Sequence, residues 1–193
     1  MDSKIIFVFG FNSGKFDLQQ EEYKGVNLRV YYNKKHFRSV GNFMSGLKAS
    51  LDYNSQHFGD LPHQQAQIIE FSLSAGTYAT TAANCIPVSE ARFLSVANNS
   101  TDNDVNISFY VAAHELAHQW WGNIVIPSDA PGATMITESV AEYLTAKIYE
   151  KQFGKKSVRR FLDIQLNRYF SGRSEETNME NPLIHVQPEQ TYI

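Results

Sequence analysis

The sequence holds one cysteine, no block of like charge and no long apolar run. Each absence excludes something. Cys85 alone cannot form an intramolecular disulfide, so a disulfide scaffold is ruled out and a buried, inert thiol is expected. Lys and Arg number 17 against 20 Asp and Glu, which leaves no electrostatic footprint for nucleic acid and no charged tail. The longest apolar stretch, IIFVFGF at 5–11, is far too short to cross a bilayer. No basic segment precedes it and no small-residue cleavage site follows, so it reads as a strand rather than a signal peptide. What remains is ordinary: 193 residues, 42% hydrophobic and 19% charged, enough for one domain with a real core. No internal repeat or low-complexity segment interrupts it.

The hydrophobic pattern changes period along the chain. In VNLRVYY, Val26, Leu28, Val30 and Tyr32 alternate with Asn27, Arg29 and Tyr31, which predicts a half-buried strand. Val40, Phe43, Met44, Leu47, Leu51 and Phe58 then share one face of a helix running to about Phe58, with Gly59 at the left-handed position that ends it. QIIEF at 67–71 predicts another strand, and the small polar residues at 74–84 a loop. Three helices follow. The first covers about 108–121 and stops at Gly122. The second covers about 135–153, with Thr134 as a candidate N-cap and Gly154 after its last turn. The third covers about 157–171, with an apolar stripe of Val158, Phe161, Leu162, Leu166, Tyr169 and Phe170 and with Arg159 and Arg160 on a solvated face. Strands first and helices afterwards give an α+β class, a short N-terminal β-sheet followed by a mainly helical lobe.

HELAHQWWGN, residues 114–123, carries the chemistry. On a helix, residues four apart are neighbours, so His114 and His118 can present ring nitrogens to one point. Neutral imidazole is a good zinc ligand. Glu115 lies about 100 degrees round the helix from His114, beside a metal rather than on it, where its carboxylate can take a proton from water that the metal has activated. By composition this spacing arises by chance in roughly one such chain in a hundred. Val111, Ala112, Leu116 and Ala117 would also bury much of that helix, and two histidines on a buried helix need partners. A catalytic zinc takes three protein ligands. Asp129, Glu138, Glu142 and Glu150 are the candidates for the third. Glu138 is favoured, because it lies in the first turns of the next helix beside the apolar arc of Ala141, Leu144 and Ile148. Glu142, one turn on, is a partner behind a ligand or a surface charge. His36, His57, His63 and His185 have no ligand spacing and read as surface or structural.

With TESVAEY at 137–143 behind it, HELAHQWWGN resembles the aminopeptidase N family of zinc metallopeptidases, gluzincins with a thermolysin-like catalytic domain. LDYNSQHFGDLPHQQAQIIEF at 51–71 resembles the family's helix, turn and strand leading into the active site, and YEKQFG at 149–154 the close of the helix bearing the third ligand. PVSEA at 87–91 falls where the family carries its G-x-M-E-N signature. The resemblance implies one Zn2+ held by His114, His118 and Glu138, Glu115 as general base, Glu90 holding the α-amino group of a peptide substrate, and release of N-terminal residues. It divides the chain into leading strands at 1–33, either the end of a preceding β domain or the start of the catalytic domain, and a thermolysin-like core at 34–193.

Three departures accompany it. Nineteen residues separate His118 from Glu138 where the family has eighteen, and the 127–132 loop is expected to absorb the extra one. PVSEA keeps only the glutamate of the signature. The family's downstream catalytic tyrosine, in a Y-x-K-G segment, is missing, although Tyr192 is close to where it should begin, which implies a fragment of a longer protein whose remaining domains would be its partners. Some bacterial relatives with a similar I-P-x-S-E motif look like soluble domains attached to membrane transport proteins, so an extracytoplasmic domain is the alternative location. A peptidase-like binding module without turnover and an endopeptidase are the alternative functions.

Overall fold

The computed structural model describes residues 12–95, 105–177 and 179–185; the strand expected at 5–11 and Tyr192 lie outside them. β1 (Asp17–Tyr23) and β2 (Val26–Tyr32) form an antiparallel hairpin. Lys24 and Gly25 make its turn, both at positive φ, the geometry that matches strand twist in a two-residue loop. β1, DLQQEEY, has no apolar alternation and sits at the sheet edge, where charged side chains discourage pairing with other chains. In β2 the predicted alternation is met, with Val26, Leu28 and Val30 buried.

α1 (Phe37–Phe58) then crosses over, and β3 (Gln65–Phe71) pairs parallel to β2. β4 (Cys85–Ser89) pairs parallel to β3, which completes a four-stranded sheet in the order β1-β2-β3-β4. A helix therefore interrupts the strands, and the division at residue 33 falls inside one hydrogen-bonded sheet. Mixed sheet plus helices remains an α+β arrangement.

Three layers share the main core. Leu28, Val30, Ile68, Ile86 and Val88 of the sheet meet Val40, Phe43, Leu47 and Leu51 of α1, and Val111, Ala112 and Leu116 of α3 (Ile107–Ala117) join the same cluster. α1 and α3 approach so closely that a Cβ on Gly46 would lie 2.4 Å from the carbonyl oxygen of Phe109. Ser50 donates to the Ala113 carbonyl at 2.8 Å across the same contact. Gly59 ends α1 at φ 90° and ψ 168°, so its positive φ is as expected but its backbone is extended rather than left-handed helical. Its carbonyl accepts from Trp120 Nε1 at 3.0 Å, tying the end of α1 to the segment after α3.

α4 (Val140–Glu175) packs on the other side of α3 through a second cluster of Phe109, Ala113, Ile148, Tyr149 and Phe161. Gly154, at φ 84° and ψ 171°, breaks α4 where the sequence predicts a gap between two helices. The apolar stripe expected beyond it is buried only at Phe161, whereas Leu162, Leu166 and Phe170 are exposed. Thr134 has helical backbone angles and no capping bond, so it is not an N-cap. Among the described residues no helix is long and apolar enough to cross a membrane.

Candidate metal centre

α3 begins with Asn106, whose side chain accepts from the Phe109 N–H at 3.1 Å and so supplies the N-cap. The α-helix ends at Ala117 rather than near 121. Gln119 N and Trp120 N bond to carbonyls three residues back, which tightens the last turn, and Gly122 at φ 128° turns the chain away. His118 keeps helical backbone angles (φ −63°, ψ −15°), so the i, i+4 relation to His114 survives.

The two imidazoles meet edge to face, with Nε2 atoms 3.1 Å apart. Oε2 of Glu138 lies 3.4 Å from each of them. Of the four acidic candidates, Glu138 is the one grouped with both histidines. Glu150 instead pairs with Lys147 at 2.6 Å, and Asp129 is exposed. Glu138 belongs to a π-helical turn, Met135–Ser139. Such a turn holds one residue more than an α-turn. Glu138 therefore leaves the chain from a widened turn, which sets where its carboxylate points toward the two histidines.

Each histidine is oriented from behind. His118 Nδ1 is 3.0 Å from the Trp121 carbonyl oxygen, which fixes the proton on Nδ1 and turns the Nε2 lone pair inward. His114 Nδ1 is 3.0 Å from Oε2 of Glu142, an ion-pair distance that lies off the line of a good hydrogen bond. Glu142 also accepts from Tyr110 Oη at 3.0 Å and from Gln165 Nε2. It is therefore a partner behind a ligand and not a surface charge. Burial pulls His114 down, but the carboxylates of Glu138 and Glu142 outweigh it and push its pKa up to about 10. The same histidines hold the Glu138 carboxyl well below the usual carboxylate range. Burial, reinforced by Glu142, keeps Tyr110 protonated far above its ordinary value.

These residues fit a metal. Two imidazole lone pairs and a carboxylate oxygen at 3.1–3.4 Å repel one another unless a cation, a proton or a metal, lies between them. A tetrahedral zinc with bonds of about 2.0–2.1 Å spaces its ligand atoms about 3.3–3.4 Å apart.

Glu115 is buried beside this group, and Thr81 holds it: Thr81 Oγ1 lies 2.6 Å from Glu115 Oε2 and 2.9 Å from the Glu115 carbonyl oxygen. Thr81 belongs to a segment read from sequence as plain loop. There, Thr80 N and Ala82 N donate to Pro87 O and Cys85 O of β4, and Ser89 N donates to Tyr78 O, so residues 78–82 extend the sheet by an antiparallel edge. Fully buried Gln119 pins the turn of that edge to α3, accepting from Asn84 N at 2.9 Å and donating to Ala82 O at 3.0 Å. No local pattern announces Thr81 or Gln119, because each acts across more than thirty residues of chain. Residues 79–82 border a cavity of about 350 Å³ together with Glu115, His118 and Glu138. A second cavity, of about 480 Å³, opens on the His114 side of Glu115 and Glu138.

Glu90 borders neither cavity. It opens α2 (Glu90–Leu94), accepts from Leu73 N at 3.2 Å and lies 3.8 Å from His36 Nε2. His36 Nδ1 is in turn 2.7 Å from Glu70, so the three form a separate group at the end of β3. The Leu73 N–H takes one Glu90 oxygen; the other is 3.8 Å from His36 Nε2, beyond hydrogen-bond reach, and the side chain is part-exposed.

No curated protein matches the sequence. The family model for the Peptidase family M1 domain matches residues 48–192, most of the chain, and the whole metal centre lies within the match. The chain belongs to peptidase family M1, the aminopeptidase N family of metallopeptidases whose motif the sequence carries at 114–118.

Proposed function

We propose that this chain is a zinc-dependent peptidase with a thermolysin-like core, that Glu115 is its general base, and that it acts as an aminopeptidase like the family to which it belongs. One observation carries the reading: His114 Nε2, His118 Nε2 and Glu138 Oε2 converge at tetrahedral ligand spacing beside a buried carboxylate. His114, His118 and Glu138 would hold the metal. Zinc held there would supply Lewis-acid polarisation of a scissile carbonyl and a water acidic enough to react near neutral pH. Glu115 would take a proton from the attacking water on its carboxylate and return it to the departing amine. Thr81 occupies Glu115 Oε2, which leaves the other oxygen for the proton transfer.

The edge at 78–82 supports a peptide as the substrate. Residues 78, 80 and 82 bond to β4, so the backbone groups of Ala79 and Thr81 point to the other side, where an extended chain can add as a further strand.

Metal analysis of the purified protein should find about one zinc per chain. Glu115→Gln should keep that zinc and lose hydrolysis of amino-acid amides. Zinc-loaded Glu115→Gln protein that turns over at the unsubstituted rate would reject the base assignment. Peptides with free and with blocked N-termini separate the aminopeptidase from an endopeptidase, and zinc binding with no turnover of either would leave a peptide-binding module.

A further inference from the structure

The cavity on the His114 side has a polarity that peptide hydrolysis alone does not require. Its floor is acidic, with Glu115 and Glu138, and Ile107, Val111 and Phe161 supply apolar wall. Two arginines, Arg92 from α2 and Arg168 from α4, also line it. Among the described residues neither guanidinium is paired with a carboxylate; Arg168 donates to the neutral Gln165 Oε1 at 3.1 Å. Arg92 is half-buried, and its Nε is fully buried with no hydrogen-bond partner among the described residues. Its backbone is fixed, since the Arg92 carbonyl accepts from Ser108 Oγ of α3 at 3.3 Å.

A buried N–H without an acceptor is costly and calls for an explanation. The buried Nε anchors the stem, while the Nη donors of Arg92, which are not sealed and have no hydrogen bond or ion pair among the described residues, are the end of the guanidinium that can meet a carboxylate in the cavity. We infer that this cavity selects peptides bearing a carboxylate on the His114 side of the scissile bond, with Arg92 as the main contact and Arg168 as the second. The inference rests on the peptidase reading of the same site.

In a peptide that carboxylate is either an Asp or Glu side chain or the C-terminus, and binding experiments separate the two. Zinc-loaded Glu115→Gln protein is titrated calorimetrically with tetrapeptide amides in which one glutamate is walked along an alanine background. Their glutamine counterparts, and the glutamine peptides with a free C-terminal carboxylate, are titrated alongside. At one position glutamate, or in the last set the free C-terminus, should bind roughly ten- to a hundredfold tighter than its neutral partner. Arg92→Gln should collapse that ratio towards one, Arg92→Lys should keep part of it, and Arg168→Gln should reduce it. Arg168 is exposed, so its variant reads the effect without a folding risk, and zinc content and melting temperature check the Arg92 variants. Equal binding of acidic and neutral peptides at every position overturns the inference and leaves the peptidase reading standing, as does a preference that survives both arginine-to-glutamine changes. Failure to bind any peptide overturns both.

Discussion

Thr81 Oγ1 lies 2.6 Å from Oε2 of Glu115, although the two residues are 34 positions apart and belong to different layers of the fold. A hydroxyl bonded to a buried carboxylate contributes about 1.5–3 kcal/mol. Thr81→Val is therefore expected to lower kcat roughly ten- to a hundredfold with little change in bound zinc, and Thr81→Ser to restore most of it. Steady-state kinetics with metal analysis on both variants checks this.

Glu142 stands behind His114 Nδ1 at 3.0 Å and is itself held by Tyr110 and Gln165. Removing its charge should loosen the ring that carries a ligand nitrogen. Glu142→Gln is expected to weaken zinc binding about ten- to a hundredfold, measured by competition with a chelator of known affinity.

The pH dependence of the metal-free protein has a defined sign. His114 is raised from its ordinary 6.5 to about 10, so its contact with the carboxylates stabilises fully below about pH 6.5 and is lost as pH climbs through about 10. Glu138 is depressed from 4.5, so its share is present above about that pH and is lost as pH falls through its lower folded value. Zinc needs the proton gone from His114. Apparent zinc affinity should rise about tenfold per pH unit between about 7 and 9, with proton release on binding that a buffer-exchange calorimetric series can count.

Gly46 marks where α1 and α3 cross. An added methyl meets the Phe109 carbonyl oxygen at 2.4 Å and the Ala112 Cβ at 2.8 Å, both rigid. Gly46→Ala should destabilise the protein by about 1–3 kcal/mol, and thermal melts should fall by about 2–4 °C for each of those. Zinc affinity should fall with it, since α3 carries both histidine ligands.

Glu90→Ala is expected to leave the ratio of activity on free and blocked N-termini unchanged, because its carboxylate faces Leu73 and His36. A loss of stability of about 1 kcal/mol, read by denaturant unfolding, is the expected effect. A drop confined to substrates with a free amine would return Glu90 to the substrate site.

Much of this was legible locally. The alternation of Val26, Leu28 and Val30 and the helical spacing of Val40, Phe43, Leu47 and Leu51 each follow from one element having one buried face. Glu138 was identifiable by its place in the first turns of the next helix, but its side chain is half-exposed and reaches the histidines at the surface rather than turning into the core beside the apolar arc. The stripe at 158–170 misled, because periodicity reports an amphipathic helix but not what covers it, and among the described residues only Phe161 of that stripe is fully covered.

The sequence by itself determined the chemistry on one helix: His114 and His118 share a face with Glu115 beside them, since a backbone with 3.6 residues per turn leaves no other arrangement. Only the tertiary structure decided what surrounds them. Glu138 reaches the histidines through a π-helical turn, Thr81 reaches Glu115 from a sheet edge, and Glu90 is turned to another group, because side chains distant in sequence are brought together or kept apart by how layers pack, a property of no single segment.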